Sequence, residues 1–167
     1  MKNFVKEGQK LPLYGVGPMI VFGMGMVTAI GIILFSYVWE IGTLEGLWML
    51  LCRIAGALLI VLGLAVWFIG ALRSDMDESI TENRLQTGGI YAWVRNPMYS
   101  GWWILFAGIC LQWHNAWILL TIPVNWVMMT VTLKLTEEKW LLSLYKQEYA
   151  DYLKRVNRCI PWPPRKA

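Results

Sequence analysis

The sequence predicts an all-α integral membrane protein. It has four transmembrane helices, the last two a hairpin, followed by a C-terminal amphipathic cytoplasmic helix. Three observations carry this expectation. Hydrophobic residues make up 57% of the 167 and charged residues 16%, against about 25% in soluble domains. The mean hydropathy is +0.46. Apolar stretches follow one another at or near the roughly 20 residues that a helix needs to cross a bilayer. Finally, the basic residues are sorted: the loops at 40–46 and 114–115 contain no Lys or Arg, while the polar lead, the 73–96 loop and the C-terminal region hold all of them except Arg53. The chain reads as a single membrane domain, 1–167.

The elements follow in order. A polar lead carries Lys2, Lys6 and Lys10. The first span, 17–39, has no charge; it is too long for the core of a cleaved signal peptide and lacks a small-residue cleavage site, so it is expected to stay. The second span, 47–72, carries only Arg53, close enough to its start to snorkel to the interface. Gly56, Gly63 and Gly70 recur every seven residues and invite close helix contact. The long polar segment 73–96 holds Arg73, Asp75, Asp77, Glu78, Glu82, Arg84 and Arg95. Pro97 is suited to the first turn of the third span, 97–113, which is short for a crossing. His114 and Asn115 form a tight turn before the fourth span, 116–135, where Pro123 predicts a kink. In 136–156, Leu141, Tyr145, Tyr149, Tyr152 and Val156 share one helical face, and Lys139, Lys146, Glu148, Asp151 and Lys154 line the others.

An even number of spans and the charge bias agree in placing both termini and the 73–96 loop in the cytoplasm. Trp39, Trp48, Trp113 and Trp117 then mark the outer interface, and Trp93, Trp140 and Trp162 the inner one. The basic residues sit at helix ends, as membrane anchors do, which argues against a nucleic-acid partner. Cys52, Cys110 and Cys159 show no paired spacing, and Cys159 is too far from the end for a lipidation box. With cysteines so scattered, the lone His114 predicts no metal site.

Chemistry concentrates where the polar loop meets the third span, at Gly88-Gly89-Ile90-Tyr91-Ala92-Trp93-Val94-Arg95-Asn96-Pro97-Met98-Tyr99-Ser100-Gly101. Polar groups at such a border are costly unless they bind something. The two arms of the hairpin have comparable length, so Asn96 and Tyr99 should lie near Glu137, to within about a helical turn. A carboxylate such as Glu137 can pair with an ammonium group, and Arg84 or Arg95 can grip a carboxylate. Tyr91 and Tyr99 offer flat faces to a purine or a sulfonium, and Asn96 both donates and accepts. The same residue types also serve as plain interfacial anchors, so composition leaves the choice open.

Two blocks in register bear on that choice. Leu85-Gln86-Thr87-Gly88-Gly89-Ile90-Tyr91 with Arg95-Asn96-Pro97-Met98-Tyr99-Ser100-Gly101 is the first; Glu137-Glu138 followed by Leu141, Tyr145, Tyr149, Tyr152, Val156, Arg158 and Pro161 is the second. Together they resemble the isoprenylcysteine carboxyl methyltransferase family, in its bacterial branch related to the phospholipid N-methyltransferases. The resemblance covers about 73–162. It implies an S-adenosylmethionine cofactor in a cytoplasm-facing pocket roofed by the C-terminal helix, in a bacterial inner or plasma membrane. Cofactor contacts would fall on Asn83, Arg84, Leu85, Gln86, Tyr91, Asn96, Pro97, Met98, Tyr99 and Glu137. Catalytic roles would fall on Arg95, Tyr99 and Glu138. The acceptor would be a small lipophilic molecule entering from the bilayer, an isoprenylcysteine-like carboxylate among the candidates.

Two departures bear on the acceptor. Asn96 stands where eukaryotic members have histidine, and Leu133, beside Lys134, stands where they have a substrate-binding arginine. Methyl transfer is an in-line displacement; an ionised carboxylate needs no base at neutral pH, whereas an amine or thiol would turn to Glu138 or Tyr99. The competing readings are a phospholipid N-methyltransferase and a non-catalytic membrane accessory protein. A reductase is the remotest, since the sterol reductases that share the C-terminal hairpin are much larger.

Overall fold

The computed structural model describes residues 15–72 and 84–163. The expectations for Asn83, for the acidic residues of the 73–83 segment, for the lysines of the lead and for Arg165 and Lys166 lie outside those residues. The described residues are helical, joined by turns and two isolated backbone bridges. Helix α1, Gly17–Ile32, continues into a π-helical stretch, Ile33–Val38. It is followed by α2, Gly46–Leu72; α3, Pro97–Gln112; α4, Thr121–Leu135; and α5, Glu137–Arg155.

Three segments are long and apolar enough to cross a membrane: Gly17–Val38, Gly46–Leu72 and Ile118–Leu135. The third apolar stretch forms α3, a helix of 16 residues. Helix α2 packs on α3 far more extensively than on anything else. The contact is made by glycines. A Cβ on Gly56 would stand 2.8 Å from the Gly108 carbonyl oxygen, and one on Gly63 2.7 Å from that of Gly101. At Gly70 the facing residue is Pro97. The heptad of glycines read in the sequence therefore meets a matching one, Gly101 and Gly108, and leads to the first residue of α3. The remaining faces of α2 expose Leu47, Trp48, Leu58, Val61, Leu64 and Phe68, an apolar surface suited to lipid.

At the end of the bundle expected to face outward, the two Lys- and Arg-free loops lock together. Thr43 bridges Asn115, and the buried Asn115 donates to the Ile41 carbonyl and accepts from the Trp117 amide. Trp39, Trp48, Trp113 and Trp117 are exposed around this end, and Trp93 and Trp162 around the other.

Two sequence expectations change. Pro123 lies in the first turn of α4 rather than in the middle of a helix. The irregularity sits just upstream, as a 3₁₀ turn at Ile118–Leu120. The segment 136–156, expected as one continuous helix, breaks at Lys146, where φ is 47° and ψ −117°. Neither proline nor glycine marks the break in the sequence. The residues read as its apolar face do pack together: Tyr149, Tyr152 and Val156 form a cluster with Leu85, Leu141 and Tyr145.

Candidate functional site

A cavity of about 620 Å³ opens where the first turns of α1, α3 and α5 meet the loop 84–96. Asn96 precedes α3, and Pro97 starts it without needing the amide that it lacks. Gly89, at φ 57°, turns the loop into a short 3₁₀ segment, Gly89–Ala92, that buries Tyr91. The Tyr152 hydroxyl donates to the Tyr91 carbonyl over 2.6 Å, fixing the loop under α5.

The tail after α5 completes the frame. Val94 bridges Asn157; the Arg95 amide donates to the Asn157 carbonyl, and the amide and side chain of Asn96 both donate to that of Arg158. Ser100 Oγ lies 2.6 Å from the Cys159 carbonyl. The tail, expected only as a proline-marked end, thus holds the arginine–asparagine pair in place. Cys159 is buried there, and burial pushes its thiol up to about 12, so it stays protonated at neutral pH.

The sequence-named residues converge. Arg84, Leu85, Gln86, Tyr91, Asn96, Pro97, Met98, Tyr99 and Glu137 all line the cavity, as does Arg95. The Tyr99 hydroxyl donates to Glu137 Oε1 over 2.5 Å. Burial holds the Glu137 carboxyl above its ordinary range, opposed by the bonds from Tyr99 and from the Val16 amide. Glu138, one residue on, does not line the cavity. Its oxygens are taken by two guanidinium groups: Arg95 Nη2 at 3.1 Å, and Arg158 Nε and Nη2 at 2.6 and 3.0 Å. Arg95 is 7% exposed, and its Nε and Nη1 have no hydrogen-bond partner among the described residues.

Several lining residues were not singled out in the sequence. Gly15, Gly17 and Val21 come from the start of the first span, and Trp67 and Ala71 from the end of the second. A Cβ on Gly17 would stand 3.1 Å from the Tyr99 hydroxyl oxygen, and one on Gly15 3.0 Å from Glu137 Oε1. Small residues there let the backbone close over the Tyr99–Glu137 pair. Nothing in an apolar span with flanking glycines signals that role. Leu133, at the position of the missing arginine, is fully buried against Ile20, Met24, Met129 and Cys159.

The arrangement offers a buried carboxylate, a buried cation with unused donors and aromatic walls. It suits a ligand bearing both charges and a flat ring. Among the described residues no cluster of His, Cys, Asp or Glu can hold a metal ion.

Comparison with known proteins gives the family. The sequence model of the phospholipid methyltransferase family matches residues 51–148, from α2 into α5. The chain is 34% identical over 89 residues to the protein-S-isoprenylcysteine O-methyltransferase of Tribolium castaneum, a match covering 51% of this chain and 30% of that protein. It is 29% identical over 121 residues to the enzyme of the same name from Saccharomyces cerevisiae, covering 67% and 50%. With the methanethiol S-methyltransferase of Crocosphaera subtropica it is 23% identical over 91 residues, covering 54% and 34%. The matches thus span half or less of these relatives' own length. No solved structure matches. The family match takes in more than half of the chain and includes Arg95, Asn96, Tyr99, Glu137 and Glu138, and the chain belongs to the phospholipid methyltransferase family.

Proposed function

We propose that the chain transfers a methyl group from S-adenosylmethionine to a small lipophilic acceptor, with the donor in the cavity between α3 and α5. The observation that supports this most is convergence. Residues 84–86, 91, 95–99 and 137, scattered over more than fifty positions, line one cavity in a chain of this family. The residues fit the donor. Glu137 is a buried carboxylate for its ammonium or sulfonium, Tyr91 and Trp140 are flat surfaces for its purine, and Arg84 is a cation for its carboxylate. Bound there, the donor supplies an electrophilic methyl on sulfur.

The chain's own residues then position the acceptor. Arg95 presents Nε and Nη1 to an anionic acceptor, and Glu138, braced by Arg158, fixes the plane of that guanidinium. A carboxylate acceptor needs no base, and the protein contributes alignment and exclusion of water. A thiol or amine acceptor must lose a proton. Tyr99 takes it while passing its own to Glu137, whose raised pKa suits it to receive. Glu138 does not line the cavity and its oxygens are engaged by Arg95 and Arg158, so on this reading it is not the base. Leu133 is buried in the core away from the cavity, so on this reading the anionic acceptor is met by Arg95.

In the membrane, we read α3 as a fourth crossing. At roughly 24 Å it is short for the hydrocarbon layer, but it lies along α2, which is long enough to span. The cavity, the end of α4 and α5 then face the cytoplasm, where a soluble donor is present, and the acceptor enters from the bilayer.

The test is transfer of labelled methyl from S-adenosylmethionine into a total lipid extract, alongside a synthetic prenylcysteine and a small thiol. The product identifies the acceptor as carboxylate, amine or thiol. Calorimetry with S-adenosylhomocysteine on the detergent-purified chain checks the donor site. Absence of both binding and label transfer would leave a non-catalytic accessory protein as the reading.

A further inference from the structure

A second cavity, about 540 Å³, lies on the far side of the Arg95–Glu138–Arg158 cluster, between α4 and the segment after α5. Among the described residues four cations line it, Arg95, Lys154, Arg155 and Arg158, and no carboxylate does. Two acids lie close by. Glu138 pairs with Arg95 and Arg158, and Asp151 with Lys154, so two of the four charges are offset. The rest of the lining is apolar or interfacial, with Trp126, Ile160 and Trp162 among it. Ile160 and Trp162 are 49% and 62% exposed, at the end of the bundle where the tail leaves α5. Thr130 Oγ1 is buried there without a hydrogen-bond partner among the described residues, and Arg95, which lines both cavities, keeps Nε and Nη1 unused.

A net positive cavity with unspent donors and a tryptophan-rich, apolar rim matches one kind of ligand: a phosphate group attached to an acyl chain. We propose that this cavity is a binding site for the phosphate headgroup of an anionic membrane lipid, gripped by Arg155, Arg158 and Thr130 with its chain lying along Trp126, Ile160 and Trp162. The site is separate from the methyl-donor cavity and does not depend on the methyl-transfer reading. The two are joined through Arg95, so a headgroup phosphate on Arg158 competes with Glu138 and changes the pairing of the guanidinium that faces the donor.

The test uses the full chain in detergent micelles, probed with dihexanoyl phosphatidic acid, dihexanoyl phosphatidylcholine and inorganic phosphate, with binding read by native mass spectrometry and by the shift in Tm. The expected result is that phosphatidic acid binds about tenfold tighter than phosphatidylcholine, a preference worth one charge-assisted contact. Arg155→Gln, an exposed position, is expected to remove most of that preference while melting as wild type in neutral detergent. Lys139→Gln, an exposed charge elsewhere on α5, is expected to keep it. Equal binding of the two lipids, or an unchanged preference in Arg155→Gln, overturns the site. Equal loss in Lys139→Gln also overturns it, because attraction to the general surface charge would then explain the preference. Inorganic phosphate binding as tightly as the lipid overturns the assignment to a lipid and leaves a free anion as the ligand.

Discussion

The Tyr99 hydroxyl donates to Glu137 Oε1 over 2.5 Å, tying the first turn of α3 to the first turn of α5. One side chain belongs to each of the two sequence blocks, and both line the cavity. A hydrogen bond to a charged group contributes about 1.5–3 kcal/mol. Tyr99→Phe is therefore expected to weaken S-adenosylhomocysteine binding roughly ten- to a hundredfold by loosening Glu137. Glu137→Gln keeps the shape but loses the charge, and should weaken the cationic S-adenosylmethionine more than S-adenosylhomocysteine. Calorimetry with both ligands on both variants checks this. Unchanged affinities would remove the pair from the donor site.

The Glu137 carboxyl is held above its ordinary range by burial. The sign of its effects follows. A folded pKa above the unfolded one means the folded state binds the proton more tightly. Its contribution to stability is then fully present below the unfolded pKa and is lost as pH rises through the folded one. A cationic donor reverses the preference, since it favours the ionised carboxylate. Binding should therefore release a proton near the raised pKa, and affinity should fall as pH drops through it. Calorimetry in two buffers of different ionisation enthalpy reads the released proton directly. In Glu137→Gln the release should vanish.

Gly63 and Gly101 set the spacing of α2 and α3. A Cβ on Gly63 would lie 2.6 Å from the Leu105 amide nitrogen and 2.7 Å from the Gly101 carbonyl oxygen, both backbone atoms that cannot move alone. Gly63→Ala is expected to cost about 1–3 kcal/mol by overpacking, read as a lower Tm in micelles. One heptad further, Gly70 touches Pro97, so the same variant should also weaken donor binding by displacing the start of α3. Gly46, with nothing within 4 Å of the added carbon, is the control for crowding. Its φ of 56° still favours glycine, so only strain should register there.

The spans, the hairpin and most of the cavity lining were legible because each rests on a local signal. Length and hydropathy mark α1, α2 and α4. Pro97 marks the start of α3, and equal arms put Tyr99 opposite Glu137. What was not legible depends on tertiary packing. Nothing local distinguishes Glu137 from Glu138, yet one faces the cavity and the other is enclosed by Arg95 and Arg158. The backbone pairing of 157–162 with 93–96 joins segments about sixty positions apart. Gly15 and Gly17 acquire their role only because the start of α1 meets the first turns of α5 and α3. Pro123 misled because a proline in an apolar run reads the same in the middle of a helix and in its first turn.

The break in α5 gives the last prediction. Lys146 adopts φ 47° and ψ −117°, a region that a residue with a Cβ rarely enters. On one side of it Leu141 and Tyr145 reach the cavity, and on the other Tyr149 and Tyr152 do. With both pairs against the same space, the packing of those four side chains outweighs the backbone cost. Such a conformation costs about 1–3 kcal/mol in a non-glycine residue. Lys146→Gly should recover about 1 kcal/mol of it, after allowing for the greater freedom of glycine in the unfolded chain. Lys146→Val should lose stability, because a branched Cβ worsens the clash. Thermal unfolding of the two variants should therefore move in opposite directions from wild type. A helix continuous through 146 would give the reverse order, since glycine is then the poorer residue by about 1 kcal/mol.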